Sequence, residues 1–458
     1  MASARLEKAY TGANGNMKKW TISVWIKRAG LDSTQYIFGA GENNSADGKI
    51  AINSSNQLYL QNDGHNGSNN ALQRDLTDTN AWYHIVWRAD TDESANDDRW
   101  KLYINGELQA ASTYGSPSIS SGGAGQIGKF SVQDHWVGDN PRSQQSGSQH
   151  HYFDGQMAHF HYCDGYAYDA SSFGESDSNG VWKPKLTPTV TYGTNGFFLK
   201  FDNDSNMGLD SSNNTNNLTT SGTIIQNKDT PSNVYCVLNT NDKRFDDTTL
   251  TNGNLTVSGG RISTGFDMIR GNLGADSGKW YFEMKAADNA EIDQVGIGIL
   301  NNISMQNNGA NGFNGALQGY GIQMSNGYKV GVSQSGATYM GGFTTNDICM
   351  IAVDLDNDKI TFGRNGQWAN GSGGADQTYA NSTAAFTGLN DIRGYIPMFA
   401  NRNSGNNNTG IMHFNFGNGY FGTTKITSAG SNGNGSLFEY DVPTGFYAWN
   451  TNNLRDQS

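Results

Sequence analysis

Glycan hydrolysis is the first chemistry to test for, because it needs two carboxylates about 5–5.5 Å apart in a retaining enzyme. Glu291-Ile292-Asp293 places two acids at alternate positions of one strand. Hydrolase strands of the form E-[ILV]-D-x-x-E carry a third, but here Gln294, Val295 and Gly296 follow. No catalytic residues are expected, and the protein is expected not to be an enzyme. Gly274-Ala-Asp-Ser-Gly278-Lys279-Trp280 is one residue short of a phosphate-binding loop and runs into a strand pattern, so it reads as a turn. Asp354-Leu-Asp356-Asn-Asp358 begins like a calcium-binding loop, yet Lys359 and Asn365 stand where glycine and a bidentate glutamate belong; a hairpin explains it better.

Three further groups could bind a ligand. Alternate oxygen side chains in Asp202-Asn-Asp204-Ser-Asn206-Met-Gly208-Leu-Asp210 make Asp202, Asp204 and Asn206 candidate calcium ligands, with a polar Asx-turn loop as the alternative. Calcium is the one cofactor for which the sequence offers a pattern. His150, His151, His159 and His161 are half of the 8 histidines; His159 and His161 share a strand face and could hold zinc with a third ligand, or could be solvated or satisfied in the core. The loop from Lys129 to Tyr152 is long for a strand connection. It offers Asp134, His135, Trp136, Asn140 and Arg142 as candidate contacts for a glycan or a partner, since sugars stack on aromatic faces and pair their hydroxyls with amides, carboxylates and guanidinium groups. Trp136 could instead pin the loop to its scaffold.

The elements that must carry these groups are strands. The 458 residues include 59 Gly, and Asn is about as frequent, while charged residues make up only 16%. Poor helix formers interrupting aromatic and β-branched runs indicate an all-β chain. Residues 20–27, 82–89 and 99–106 alternate with period two, the last ending in an Asn105-Gly106 hairpin turn. Further strands are expected at 35–40, 49–53, 57–61, 126–128, 156–163 and 196–201. The net charge of −12, with no basic stripe, argues against nucleic acid as a partner. Cys163, Cys236 and Cys349 read as buried free thiols, the first residues lack the apolar core of a signal peptide, and no run reaches the ~18–20 residues of a membrane span.

The order WTISVWIK, AWYHIVWRADT, RWKLYINGELQ and YFDGQMAHFHYCDG, over roughly residues 1–200, resembles laminin-G-like domains of the concanavalin A type. GKWYFE, VGIGI, GYG, DICMIAVDLDNDKITF and HFNFG, over about 235–422, closely resemble a SPRY domain, with Asn346-Asp347 where that family usually has Gly-Asp. The resemblances imply two tandem antiparallel jelly-roll sandwiches. The expected layout is a laminin-G-like domain over 1–201, a polar linker over 202–234, a SPRY-like domain over 235–425, and a flexible link with an aromatic tail over 426–458.

Both sandwiches followed by YDVPTGFYAWNTNNL resemble lectin-like virion proteins of marine bacteriophages. This implies a tail fibre, spike or head-attached fibre that binds host surface glycans, is assembled in the host cytoplasm and sits on the virion surface. Its partners would be other virion proteins and bacterial surface glycans, with no membrane insertion. Alternatives are a decoration or adaptor protein that binds other virion subunits, and a secreted bacterial protein that binds or degrades glycans. Phe438, Tyr440, Phe446, Tyr447 and Trp449 must pack somewhere: back on their own sandwich, or on a neighbouring subunit in a homo-oligomer, with a trimer among the options.

Overall fold

The computed structural model describes residues 4–9, 12–43, 46–140, 150–243, 248–259, 266–287, 293–300, 313, 319–331, 334–389, 391, 393–401 and 410–457. The chain is all-β and forms two compact units, Met1–Gln226 and Asn227–Ser458.

In the first unit, alternation along the strands builds two antiparallel sheets. Among the described residues one runs in the order Thr219–Ser221, Arg5–Lys8, His135–Val137, Gln35–Asn43, Ala46–Ile52, Gln57–Asn62, Asn66–Asp75. The other runs Phe197–Leu199, Gly155–Asp164, Lys19–Arg28, Trp82–Asp90, Trp100–Ile104, Glu107–Gln109. Trp20, Ile22, Val24 and Ile26 pack inward with Ile85, Trp87, Leu102 and Phe160. The alternate residues are buried too: every residue from Trp20 to Arg28 is covered, because the segment 165–192 lies over the outer face and brings Phe173, Trp182 and Tyr192 against Val86, Tyr103 and Cys163. The Asn105-Gly106 turn forms as expected, with φ of 51° and 85°. A Cβ on Gly106 would stand 2.9 Å from the Trp182 ring, so glycine is required there both for the turn and for this layer.

The expected strand at 126–128 is a correction. Ile127 is buried, but the backbone N–H groups of Gln126 and Ile127 donate to Asn62 Oδ1 (2.7 and 3.1 Å) instead of to a ladder, and His135–Val137 takes the sheet position.

The polar linker over 202–234 is also a correction, since its first part is folded into the first unit. Met207 and Leu218 enter the core, and Thr219–Ser221 pairs with Arg5–Glu7. Asp210 staples this segment. Its Oδ1 accepts from the N–H groups of Phe198 (2.9 Å) and Ser212 (2.8 Å), and its Oδ2 from the Ser212 hydroxyl (2.9 Å) and the Asn216 N–H (2.8 Å).

The second unit repeats the two-sheet plan. One sheet runs Leu238–Lys243, Asp267–Gly271, Tyr395–Asn401, Gln294–Ile299, Gly319–Gln323, Tyr328–Gly331, Gln334–Thr338. The facing sheet is centred on Met412–Asn415, Lys279–Ala286, Ile348–Asp354 and Lys359–Arg364. Trp280, Phe282, Met284, Cys349, Ile351 and Val353 point into the core between them.

Candidate functional site

The Lys129–Tyr152 loop does not present its candidates as a sugar platform. Trp136 is 0% exposed, in register with Glu7 on one side and Gly39 on the other, and the Arg5 guanidinium lies 4.3 Å from its ring centre. His135 is buried in a stack with Phe130 at 3.9 Å; its Nε2 accepts from the Gly128 N–H at 2.9 Å, and burial pushes its pKa down to about 3. Asn140 is likewise buried, and Asp134 is half-buried. Arg142 lies outside the described residues. His135 and Trp136 therefore hold a central strand in place, and a buried indole has no face to offer a sugar. At the base of the loop Asp139 accepts from His150 Nδ1 (2.7 Å) and from the His151 N–H (3.1 Å).

The calcium pattern resolves into a turn. Asp202, Asp204 and Asn206 are exposed, the Asn206 N–H donates to the Asn203 carbonyl (3.1 Å) and the Ser205 N–H to Asn203 Oδ1 (3.1 Å), and the carboxylate of Asp210 is spent on the four donors above. Among the described residues no group of three His, Cys, Asp or Glu side chains is placed to hold a metal ion. The Asp354 carboxylate caps its hairpin, accepting from the Asn357 N–H (3.1 Å) and side-chain amide and pairing with Lys279 (3.3 Å).

The histidines belong to the layer over the sheet. A register shift between Ala158 and His161, with φ of +48° at His159, sets the two imidazoles 6.3 Å apart. His161 lies on Phe198 at 4.0 Å and makes a 2.9 Å hydrogen bond to Tyr192 Oη. Burial drives its pKa well down and that of His159 to about 4, so both rings are neutral at pH 7.

Ser23 and His84 are a serine–histidine pair that sequence reasoning did not single out. They are 2.8 Å apart, but both are buried, and Trp182 Nε1 donates to His84 Nδ1 at 2.9 Å. The imidazole proton therefore sits on Nε2 and is donated to the serine oxygen. A general base needs that nitrogen free to accept, so the pair is a packing device.

Residues 8–165 match the family model described as the concanavalin A-like lectin/glucanases superfamily. Among solved structures the chain is similar to the SPRY domain of human HERC1, with 14% identity, 39% of this chain and 96% of that chain covered and a TM-score of 0.28. It is also similar to another human SPRY domain, with 13% identity, 37% and 94% covered and a TM-score of 0.28. The heptameric SAP-like pentraxin of Limulus polyphemus is similar over 36% of this chain and 72% of that chain, with 15% identity and a TM-score of 0.25. The search of curated proteins finds no match.

The second unit carries a feature of its own. Its C-terminal segment is folded back on its own unit and is no flexible tail. Phe438, Val442 and Phe446 cover Tyr281, Met350, Ala352 and Trp368 on the outer face of the sheet, with Tyr440 partly buried beside them. Tyr447–Ala448 adds a parallel strand beside Trp280–Tyr281, and Trp449 enters the core 5.0 Å from Trp280. The clasp is Glu283, which is fully buried. Its Oε1 accepts from Tyr281 Oη (3.0 Å) and the Tyr440 N–H (2.9 Å), and its Oε2 from the Glu439 N–H (2.9 Å) and Asn415 Nδ2 (3.3 Å). The sequence carried no signal for it, because by strand period Glu283 shares the outward face with Lys279, Tyr281 and Lys285.

Proposed function

We propose that this is a non-catalytic glycan-binding protein of a bacteriophage virion, borne as a tail fibre, spike or head-attached fibre on the virion surface after assembly in the host cytoplasm. The observation that carries the carbohydrate-binding part is the match of residues 8–165 to the lectin/glucanase superfamily, on a chain segment that folds as a two-sheet sandwich. The virion role is supported by the sequence layout of two lectin-like sandwiches and an aromatic C-terminal segment. The non-catalytic role is supported by the Glu291-Ile-Asp293 pattern, which lacks its third acid and whose Asp293 is 2% exposed; Glu291 itself lies outside the described residues. Bacterial surface glycans and other virion proteins are the proposed partners, in a homo-oligomer. No helix among the described residues is long and apolar enough to cross a membrane.

A second reading, a decoration or adaptor protein, is favoured by the covering of one sheet's outer face in each unit by the chain's own segments, which removes a broad open face on which a polysaccharide could lie. Binding of the purified chain to immobilised host surface polysaccharide, together with its location in particles by low-resolution electron microscopy, separates the two. Saturable glycan binding at an exposed virion position supports adhesion. No binding, with both units enclosed by other subunits, overturns it.

A further inference from the structure

In the first unit the segment over the sheet leaves a cleft of about 420 Å³, lined by Ser171, Glu175, Lys185, Leu186, Thr187 and Thr189 among others. That volume lies within the range of about 300–1,000 Å³ usual for small-molecule sites. We propose that this cleft is a binding site for a neutral sugar, one or two hydroxylated rings in size; the proposal rests on the glycan-binding reading and gives it a location.

The walls are held by the fold beneath them. Ala170 and Phe173, on either side of Ser171 and Ser172, are buried in the aromatic layer. The Lys185 N–H donates to the Phe173 carbonyl at 2.8 Å, and Gly174–Ser176 pairs with Trp182–Pro184. Lys185 Nζ donates to the Ser171 carbonyl at 2.7 Å. This fixes the ammonium at the cleft while using one of its three donors. The backbone walls and the Lys185 ammonium are thus placed before a ligand arrives, which lowers the entropy lost at these groups on binding.

Its chemistry suits hydroxyls. Among the described residues no side-chain partner takes up the Glu175 carboxylate or the hydroxyls of Ser171, Thr187 and Thr189; these groups are exposed and can exchange water for the hydroxyls of a ligand. The one carboxylate and one ammonium balance, which gives no preference for a strongly charged ligand. Each sugar hydroxyl both donates and accepts, so it can meet a carboxylate, an ammonium or another hydroxyl equally well. Leu186, 68% exposed, is the most exposed large apolar side chain among the described residues and offers a surface for the C–H face of a ring.

The test is saturation-transfer NMR on the full chain with methyl glycosides of glucose, galactose, mannose and glucuronic acid. At least one neutral glycoside is expected to give a signal that falls five-fold or more in Glu175→Ala and in Thr187→Arg, which fills the cleft. Both positions are exposed, and an unchanged melting temperature shows that each variant is folded. Neutral-glycoside signals equal in wild type and variants overturn the cleft and leave the glycan-binding reading standing. Signal from glucuronate alone, lost in Lys185→Ala, overturns the preference for a neutral sugar. Absence of signal from all four glycosides overturns the cleft, while binding to the longer host polysaccharide tests the broader reading separately.

Discussion

Removing the Glu283 carboxylate should release the C-terminal segment. In Glu283→Ala, four donors lose their acceptor inside the protein: the N–H groups of Glu439 and Tyr440, the Asn415 amide and the Tyr281 hydroxyl. Each buried donor left unpaired costs about 1–3 kcal/mol. Water entering the space would recover part of this, so a net loss of about 4 kcal/mol is expected, or about 10 °C in the melting temperature of a unit this size. Glu283→Gln keeps one carbonyl for two donors but turns its own amide donor against the other two, and should lose about half as much. Burial raises the carboxyl from 4.5 to about 7, against the lowering effect of the four donors. Between those values the folded state holds a proton that the unfolded state does not, so this group's contribution falls as pH rises, by up to about 3 kcal/mol across the window. Thermal melts of wild type and both variants at pH 5 and pH 7 measure this. The wild type's margin over Glu283→Gln should be larger at pH 5. A Glu283→Ala protein melting within 2 °C of wild type would refute the clasp, and a margin that grows toward pH 7 would refute the dominance of burial over the four donors in setting its pKa.

Other outcomes follow from the same geometry. Residues 1–226 should melt cooperatively when expressed alone, whereas 1–201 should not, because it loses the Thr219–Ser221 strand together with Met207 and Leu218, side chains worth about 1.5–3 kcal/mol each; circular dichroism melts decide this. Trp136→Ala should cost about 3–5 kcal/mol as a core deletion, and chemical denaturation of the variant should show that loss; a change in glycan binding with stability unaltered would contradict the packing role. Millimolar calcium or EDTA should leave the melting temperature within 1 °C, because Asp202, Asp204 and Asn206 form an exposed turn. Reducing-end assays on host polysaccharide should stay at background, and turnover abolished by Glu291→Gln would overturn the non-catalytic reading.

The residues that pattern themselves determine much of this protein. Period-two alternation in 20–27, 82–89 and 99–106 specified antiparallel strands, since each side chain must go to one face or the other of a pleated sheet. The Asn105-Gly106 turn was legible because few residues tolerate positive φ at both positions, and the Asp354 hairpin because Lys359 breaks the cation pattern. What alternation cannot say is which outer face is covered. Trp25, His84 and His161 occupy solvent-side positions by period and are buried because 165–192 returns over them. Tyr281 and Glu283 are buried because the C-terminal segment does the same. Trp136 and His135 looked like recognition residues because a long loop rich in polar and aromatic types usually lies outside; a three-residue strand within it enters the sheet instead. The polar run 202–234 looked like a linker because its composition is hydrophilic, whereas two apolar residues and one carboxylate with four donors are enough to fold its first part, up to Gln226, into the first unit. Local sequence sets the strands, turns and their two faces; tertiary structure alone decides which polar side chains are enclosed and which stay free to meet a ligand, because that depends on segments distant in the chain closing over them.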